Sequence, residues 1–443
     1  MFVLTTLAFA ADDPFATNAA VHTLDNGLVV LLEEDHRTDS VALNVRYGVG
    51  SRDELPGEKG FAHCFEHLMF EGSENVPNNA FDEWLEAAGG WNNAWTSEDD
   101  TAYHEVFPAG ALELALFLES DRLGFLDGGL DAPNLENQQL VVLQERAEGY
   151  AEPHGRDWDS LSRLQFPEGH PYHISVIGTI EDIEGLELSQ ATSFWERWYR
   201  PQNAVMALVG NVDEDVLDTV THWFSDVEDT GPAPQRAEAW TGGYTPADGY
   251  ITDAIDYRAL YISWATVPHG HPDEPALDLL ATVMSNGRGT RLDDAMYYDS
   301  NKAFFSAAFT SNGDIDGQFI LISGSPKTKP KKLEKEMEKV LFSVLETPPS
   351  DEEMARALSS VKAVMLDSLE RYDSRADIFV QCYLDYGDPN CLAQDWARYT
   401  AVTSDDLVRV AETWLVPERR VTLSVVPHGD KKMLKGSNDV VLP

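Results

Sequence analysis

Two histidines and a glutamate within one pentapeptide are the residues of this chain best suited to metal chemistry. The segment reads His63-Cys64-Phe65-Glu66-His67, an inverted H-x-x-E-H motif. On a helix, His63 and His67 lie one turn apart on the same face, so both imidazoles can bind one ion. Glu66 lies beside them and can take a proton from a metal-bound water without being a ligand itself. The spacing therefore predicts a zinc site with two histidine ligands and Glu66 as the general base.

A peptidase zinc needs a third protein ligand and an open position for water. The best candidate is Glu145, on a later and separate predicted helix. That helix begins at Asp131-Ala132-Pro133, which is typical of a cap followed by a proline in the first turn. Glu136 and Glu148 lie on the same helix, so spacing alone does not choose among the three glutamates.

Short strands and amphipathic helices surround these two segments in the first half of the chain. The turn Asn26-Gly27 predicts a hairpin over residues 21–33, and a glycine-bearing loop over 48–60 leads into the helix of the pentapeptide. Further strands are predicted over 41–47, 92–95, 101–106 and 203–209, and helices over 109–126, 131–149 and 194–199.

The composition changes over residues 226–248, which are rich in Asp, Glu, Gly and Pro. After this segment the order of elements starts again, with a strand over 259–265, an acidic turn with two prolines over 272–275 and an apolar helix. We therefore predict an α+β fold of two similar domains, each a mixed sheet with helices packed on one face. Residues 12–227 form the zinc-binding catalytic domain, 228–248 the linker, and 249–443 a second domain of the same fold without metal ligands.

The bulk composition favours a folded, strongly acidic protein. A length of 443 residues suits two domains of about 200 residues each. The net charge of −44, from 32 basic and 76 acidic residues, argues against nucleic-acid binding because such a surface repels phosphate. The acidic residues are spread along the chain, which favours a solvated acidic surface; a negative chamber that prefers basic peptides is the alternative.

The N-terminus and the cysteines bear on the cellular compartment. Residues 1–11 are a short apolar run ending in an A-x-A pattern, and we interpret them as the remnant of a signal peptide. No later run approaches 18 apolar residues, so no membrane span is expected. Cys382 and Cys391 flank a turn-rich segment and form either a disulfide or two separately buried thiols. The sequence thus predicts a periplasmic or otherwise exported protein.

Several long motifs, in the same order along both halves of the chain, resemble the pitrilysin/insulysin family of zinc peptidases. The resemblance is to its half-length members, such as the beta subunit of the mitochondrial processing peptidase and bacterial zinc-bearing subunits, which enclose peptides within a clamshell of two such chains. The matching segments are 24–28, 60–72, 93–99, 112–123, 137–146, 169–173, 199–210, 271–277 and 287–292.

The resemblance implies roles for particular residues. Glu145 becomes the third ligand of one Zn²⁺ per chain, because it occupies the glutamate of the Val-Val-x-x-Glu-Arg segment. Asn93 and Ala94 match the family's edge strand, which aligns the substrate as an added β-strand. His170 and His173, which resemble metal ligands in isolation, become structural or near-site residues. The implied substrate is a peptide or an unfolded polypeptide.

The second half departs from the family at two positions. Active members carry an arginine and a tyrosine, seven residues apart, that contact the bound peptide. Here the arginine position is Tyr298 and the tyrosine position is Phe305, and neither side chain supplies the expected hydrogen bonds. We therefore expect the catalytic subunit of a heterodimer whose partner, of the same fold, carries the arginine and tyrosine. The alternatives are a homodimeric peptidase, a non-catalytic core-type subunit and a peptide-binding module.

Overall fold

The computed structural model describes residues 13–213, 215–232, 234–236, 240–285, 287–430, 432–434 and 436–442. The predicted signal-peptide remnant, residues 1–11, lies outside these ranges, and part of the predicted linker does as well. Within the described ranges the chain forms two sheets of six strands each.

The first sheet has the strand order β1-β2-β6-β3-β5-β4. β2 and β6 are parallel and the other neighbours are antiparallel. The predicted hairpin is confirmed, since β1 and β2 pair antiparallel through the Asn26-Gly27 turn. Its strands are β1 Ala20–Thr23, β2 Val29–Glu34, β3 Ser40–Tyr47, β4 Trp91–Thr96, β5 Thr101–Pro108 and β6 Ala204–Gly210.

The second sheet has the order β12-β7-β11-β8-β10-β9 and repeats this topology in five strands, whereas its outer strand β12 is parallel to β7. β7 and β11 are parallel, as β2 and β6 are, and β9 occupies the edge position that β4 occupies in the first sheet. The repeated order confirms the predicted pair of similar mixed-sheet domains. Its strands are β7 Ala247–Asp253, β8 Arg258–Ala265, β9 Phe305–Asn312, β10 Gly317–Ser325, β11 Arg420–Pro427 and β12 Asn438–Asp439.

Helices pack against each sheet and enclose the main core of that half. In the first half they are α1 Phe61–Leu68, α2 Ala80–Ala87, α3 Leu112–Gly124, α4 Ala132–Ala151, α5 Asp157–Gln165, α6 Ile180–Gly185, α7 Leu188–Trp198 and α8 Val216–Phe224. In the second half they are α9 Glu274–Met284, α10 Arg291–Asp293, α11 Pro330–Leu341, α12 Ser343–Glu346, α13 Asp351–Ser368, α14 Tyr372–Tyr386, α15 Leu392–Thr400 and α16 Ser404–Trp414.

The two halves exchange one helix each. α14, from the second half, covers the other face of the first sheet, where Phe379 packs against Leu31 and Ala207. α5, from the first half, covers the corresponding face of the second sheet through Leu161. Each sheet is therefore buried on both faces, and the exchange holds the halves together by apolar packing.

This exchange explains why β3 lacks the alternation of buried and exposed residues that is typical of a strand with one face in solvent. Every residue from Val41 to Tyr47 is buried, although Asn44 and Arg46 are polar. Both polar side chains reach α14, where Arg46 donates to Gln381 and to Asp377. A buried guanidinium is tolerated because these partners accept hydrogen bonds from its two terminal nitrogens, and Asp377 offsets its charge.

Some elements differ from the sequence prediction. The helix predicted over 109–126 begins later, as α3, after a 3₁₀ turn over Ala109–Ala111. α2 was not predicted at all. Cys382 and Cys391 form a disulfide between α14 and the start of α15, which decides between the two alternatives left open by the sequence.

Candidate metal centre

The helix that carries the pentapeptide, α1, is held at its N-terminus by a buried glutamate. Glu54 accepts hydrogen bonds from the backbone N–H groups of Gly60 and Ala62, at 3.1 and 2.9 Å. Burial raises the pKa of Glu54 to about 8, and the nearby Lys59 ammonium opposes the rise. Gly60 has a φ of 98°, and a Cβ there would lie 2.8 Å from the backbone oxygen of Ile177. A left-handed glycine is therefore required where the chain enters α1.

The three predicted ligands lie together. His63 and His67 are one turn apart on α1, and Glu145 faces them from α4. The Oε2 atom of Glu145 is 3.7 Å from the Nε2 of His63 and 3.5 Å from the Nε2 of His67. The three donor atoms lie within 4.8 Å of one another, and the Glu145 side chain is 53% exposed. Two nitrogens and a carboxylate oxygen, with one open side, match the donor set of a catalytic zinc.

The electrostatics of the pentapeptide favour a neutral imidazole at His63. Burial, with the neighbouring His67, lowers the pKa of His63 to about 4, so its imidazole is neutral and free to donate a lone pair. The structure also separates Glu145 from the other glutamates of α4, because neither Glu136 nor Glu148 belongs to the cluster. Glu148 instead accepts a hydrogen bond from Gln144, at 2.8 Å.

Glu66 lies beside the two histidines and is 9% exposed. Its Oε2 accepts a hydrogen bond from the hydroxyl of Thr96, at 2.5 Å. Burial raises the pKa of Glu66 to about 7; the Thr96 hydrogen bond opposes the rise and the Glu145 carboxylate adds to it. A carboxylate in this environment is suited to accept a proton near neutral pH and to return it.

Asn93 and Ala94 lie on β4, the strand at the edge of the first sheet. Both residues line a cavity of about 310 Å³ that also contains Glu66 and His67. The Asn93 side chain accepts a hydrogen bond from the N–H of Ala94. The edge strand that was expected to align a substrate therefore runs beside the candidate metal ligands.

The other candidate histidines lie elsewhere. His170 is buried, with Nε2 3.0 Å from Oδ2 of Asp316, and it joins the first half to the second. His173 has its Nδ1 2.6 Å from the backbone oxygen of Phe166. Neither belongs to a group of metal-ligating side chains in the described part of the chain.

A larger cavity of about 630 Å³ lies between the two halves, lined by Trp95 and Phe309 among others. Two carboxylates of its wall, Asp99 and Asp314, are 2.7 and 3.0 Å from the guanidinium of Arg52. The negative charge there is thus partly compensated within the protein. None of the three candidate ligands lines this cavity.

The two positions that depart from the family lie on the second domain. Phe305 begins β9 and packs against Phe304 and Tyr257. Tyr298 is 51% exposed and lies under the guanidinium of Arg288, whose Cζ is 5.4 Å from the ring centroid.

Sequence reasoning missed two residues of the site, Thr96 and Glu54. Thr96 is two residues beyond Ala94 on β4, so both side chains point to the same side of the strand. That periodicity could have indicated Thr96 once β4 was known to pass α1. Glu54 had no such signal, because its partners are backbone N–H groups that meet it only in the folded loop.

The fold and the site together define a class: a two-domain α+β chain with a candidate metal centre on paired helices of the first domain. Residues 29–166 match the model of insulinase (peptidase family M16), and residues 185–361 match the model of the peptidase M16 inactive domain. The chain belongs to the insulinase family, peptidase family M16.

Relatives match over nearly the whole chain. The zinc protease PqqE of Helicobacter pylori is 27% identical over 419 residues, covering 91% of this chain and 92% of that protein. The uncharacterized zinc protease YmxG of Bacillus subtilis is 23% identical over 356 residues, covering 80% and 85%.

Solved structures show the same fold. A protease from Helicobacter pylori has a TM-score of 0.86 and 25% identity, with 93% of this chain and 100% of that chain covered. The periplasmic protease PqqL from Escherichia coli has a TM-score of 0.79 and 17% identity, with 95% of this chain but 49% of that chain covered. Among the residues that the structure describes, we find no helix that combines the length and the hydrophobicity required of a transmembrane span.

Proposed function

We propose that this protein is a zinc endopeptidase that cleaves peptides or unfolded polypeptides. The observation that carries the proposal is the convergence of His63, His67 and Glu145 within 4.8 Å, with Glu66 beside them. The three residues hold one zinc ion, which when bound polarises a water and the scissile carbonyl. The relatives named zinc proteases support the same assignment.

The remaining work falls to the chain's own residues. Glu66 takes a proton from the attacking water and returns it to the leaving amine. β4, through Asn93 and Ala94, pairs with the substrate as an added strand and places the scissile bond beside Glu66. In this proposal residues 12–227 form the catalytic domain and 249–443 the second domain, joined by 228–248.

The substitution Glu66→Gln tests the proposal. We expect the variant to retain its zinc, measured by elemental analysis, and to lose peptide cleavage. A matched control is Glu148→Gln, which removes the same charge from an exposed site on α4 and keeps both properties. Turnover retained by the Glu66 variant would contradict the assignment. A non-catalytic core-type subunit or a peptide-binding module predicts no cleavage by the wild type under any condition.

We further propose that the active species is a heterodimer with a homologous partner that supplies an arginine and a tyrosine. Support comes from Tyr298, which has no guanidinium at the arginine position, and from Phe305, which has no hydroxyl at the tyrosine position. The test compares peptide cleavage by the purified chain alone and with a related chain that carries both residues. Full activity of the chain alone would contradict the heterodimer.

A homodimer is the second candidate, and one observation favours it. Arg288 and Tyr298 form an exposed arginine–tyrosine pair on the second domain, which a second copy of this chain could use in trans. If the homodimer is the active species, Arg288→Ala lowers the activity of the chain alone and leaves its zinc content unchanged.

We also propose that the protein works outside the cytoplasm. The Cys382–Cys391 disulfide supports an oxidising compartment. PqqL, whose fold this chain shares, is a periplasmic protease. Fractionation of cells that express the full-length protein tests it.

A further inference from the structure

A second cluster of metal-ligating side chains lies where the two halves of the chain meet. It consists of His154, Asp157 and Asp253, and one donor atom of each lies within 4.8 Å of the other two. His154 belongs to the loop between α4 and α5, Asp157 is the first residue of α5, and Asp253 is the last residue of β7. The cluster shares no residue with the candidate metal centre on α1 and α4, and it joins a helix of the first half to the sheet of the second.

Both carboxylates of this cluster are buried, and neither has a basic side chain beside it other than the histidine. Asp157 is 0% exposed and Asp253 is 5% exposed. Among the described residues, no lysine or arginine forms an ion pair with either carboxylate, and Nδ1 of His154 lies 2.7 Å from Oδ2 of Asp157. Two buried carboxylates are costly unless a cation balances them, and an imidazolium offsets only one of the two charges. A divalent ion offsets both.

Asp157 also has a carboxylate oxygen that no protein group satisfies. Its Oδ2 accepts a hydrogen bond from the hydroxyl of Tyr261, at 2.5 Å. Its Oδ1 is buried and has no hydrogen-bond partner among the described residues. A buried acceptor without a partner is uncommon and costly, and a metal ion bound to that oxygen removes the cost.

Further groups orient the three side chains from outside the cluster. The Nε2 atom of His154 lies 2.6 Å from the hydroxyl oxygen of Tyr257, which leaves Nδ1 to face Asp157. The two oxygens of Asp253 accept hydrogen bonds from the backbone N–H groups of His154 and Ala254, each at 2.7 Å. Histidines and carboxylates that bind metals are commonly held in this way through their remaining atoms. The His154 side chain is 27% exposed, which gives an ion a path from solvent.

We propose that His154, Asp157 and Asp253 bind a divalent metal ion that joins the two halves of the chain and is separate from the proposed catalytic zinc. One imidazole nitrogen with two carboxylates suits Zn²⁺ or Mn²⁺ better than Ca²⁺ or Mg²⁺, which prefer oxygen ligands alone. The ion fixes the start of α5 to the end of β7, so its role is structural. Asp253 thereby becomes a ligand from the second domain, where none is expected from the sequence. The site goes beyond the proposed peptidase function and does not rest on it.

Metal content tests the proposal in a chain that lacks two ligands of the proposed catalytic zinc. The full chain carrying His63→Ala and His67→Ala is stripped with a chelator and dialysed against micromolar Zn²⁺ or Mn²⁺. Excess Mg²⁺ and about 0.15 M salt are present, so that ions held loosely by the acidic surface are displaced. Elemental analysis should find one bound ion per chain in this double variant and two in the wild type.

Further substitutions in the double-variant background identify the ligands. His154→Gln and Asp253→Asn should each abolish the remaining ion. Asp256→Asn removes an exposed carboxylate three residues beyond Asp253, outside the cluster, and should leave the ion in place. Zinc at about 100 times its Kd should raise the melting temperature of the double variant by about 3–6 °C, and should not raise that of the His154→Gln protein. A cooperative transition in the His154→Gln protein distinguishes a lost ion from a lost fold.

Three results would overturn the proposal: no stoichiometric ion in the folded double variant, an adventitious ion only, which excess Mg²⁺ displaces, or an ion retained by both His154→Gln and Asp253→Asn. The first result means that hydrogen bonds alone hold the cluster together. If His154→Gln does not fold, the ion counts of the double variant and of Asp253→Asn still decide. Failure of the catalytic zinc has a separate signature, since the wild type and the double variant then hold the same single ion.

Discussion

The stability of the second domain should depend on pH through one histidine. His269 lies between two carboxylates, with Nδ1 2.6 Å from Glu274 and Nε2 2.8 Å from Asp385. Glu274 begins α9 and Asp385 lies near the end of α14, so the imidazolium joins two helices. Hydrogen bonds to Asp385 and then to Glu274 raise the pKa of His269 from 6.5 to about 10.

The sign of the effect follows from the raised pKa. Because the pKa of His269 is higher in the folded state, its contribution is fully present below pH 6.5 and is lost as the pH rises through 10. Linkage between these two pKa values gives a ceiling of about 5 kcal/mol. The His269 side chain is 33% exposed and Arg398 also pairs with Glu274, so solvent screening and the remaining partner reduce the expected contribution to about 1–2 kcal/mol.

The assay is calorimetric unfolding of the wild type and of His269→Gln between pH 6 and pH 10.5. At pH 6 the variant should unfold roughly 2–8 °C below the wild type, and at pH 10.5 the two should coincide. His222→Gln, a change of an exposed histidine on α8, serves as the control and should shift neither value. A difference for His269→Gln that persists undiminished at pH 10.5 would refute the charge-based explanation.

Three further predictions concern the site and the disulfide. Thr96→Val should lower kcat about 10- to 100-fold with little change in KM, because Glu66, the proposed general base, loses a charge-assisted hydrogen bond. Thr96→Ser should keep most of the wild-type kcat, and steady-state kinetics measure both variants. Glu145→Gln should lower zinc affinity in a chelator-competition titration, whereas Glu148→Gln should not. Replacing Cys382 and Cys391 by serine should destabilise the protein by about 2 kcal/mol, and the melting temperature of the wild type should fall to that of the variant when a reductant is added.

The parts of the site that sequence predicts well are those set by local chemistry. The pentapeptide can place His63 and His67 on one helical face because the helical repeat alone brings them together. The start of α4 is equally local, since the Asp131 side chain accepts the N–H of Asn134 at 2.9 Å. The edge position of β4 came from the family resemblance, not from its own residues.

Other features depend on packing between distant segments. Glu145 faces the two histidines, and Glu136 does not, because of the way α4 is rotated about its axis against α1. The spacing of residues within α4 does not determine this rotation. The complete burial of β3 depends on α14, which begins more than 300 residues later in the chain. The hydrogen bond from Thr96 to Glu66 likewise requires the sheet edge and the helix to be assembled first. These features follow from tertiary contacts, and local propensity does not determine them.

The duplicated topology places a corresponding acidic side chain in each half of the chain. In both halves a threonine on the edge strand donates a hydrogen bond to a carboxylate on a helix that follows an inner strand. In the first half Thr96 of β4 donates to Glu66 of α1, which follows β3. In the second half Thr310 of β9 donates to Asp278 of α9, which follows β8.

The surroundings of the two carboxylates differ. Asp278 also accepts a hydrogen bond from Tyr399, at 2.6 Å, and α9 contains no histidine, so its carboxylate is occupied inside the protein. Glu66 lies next to two imidazoles and an open cavity, so it faces whatever enters that cavity. The shared scaffold therefore positions an acid in each half, and the neighbouring side chains decide whether that acid is structural or available for chemistry.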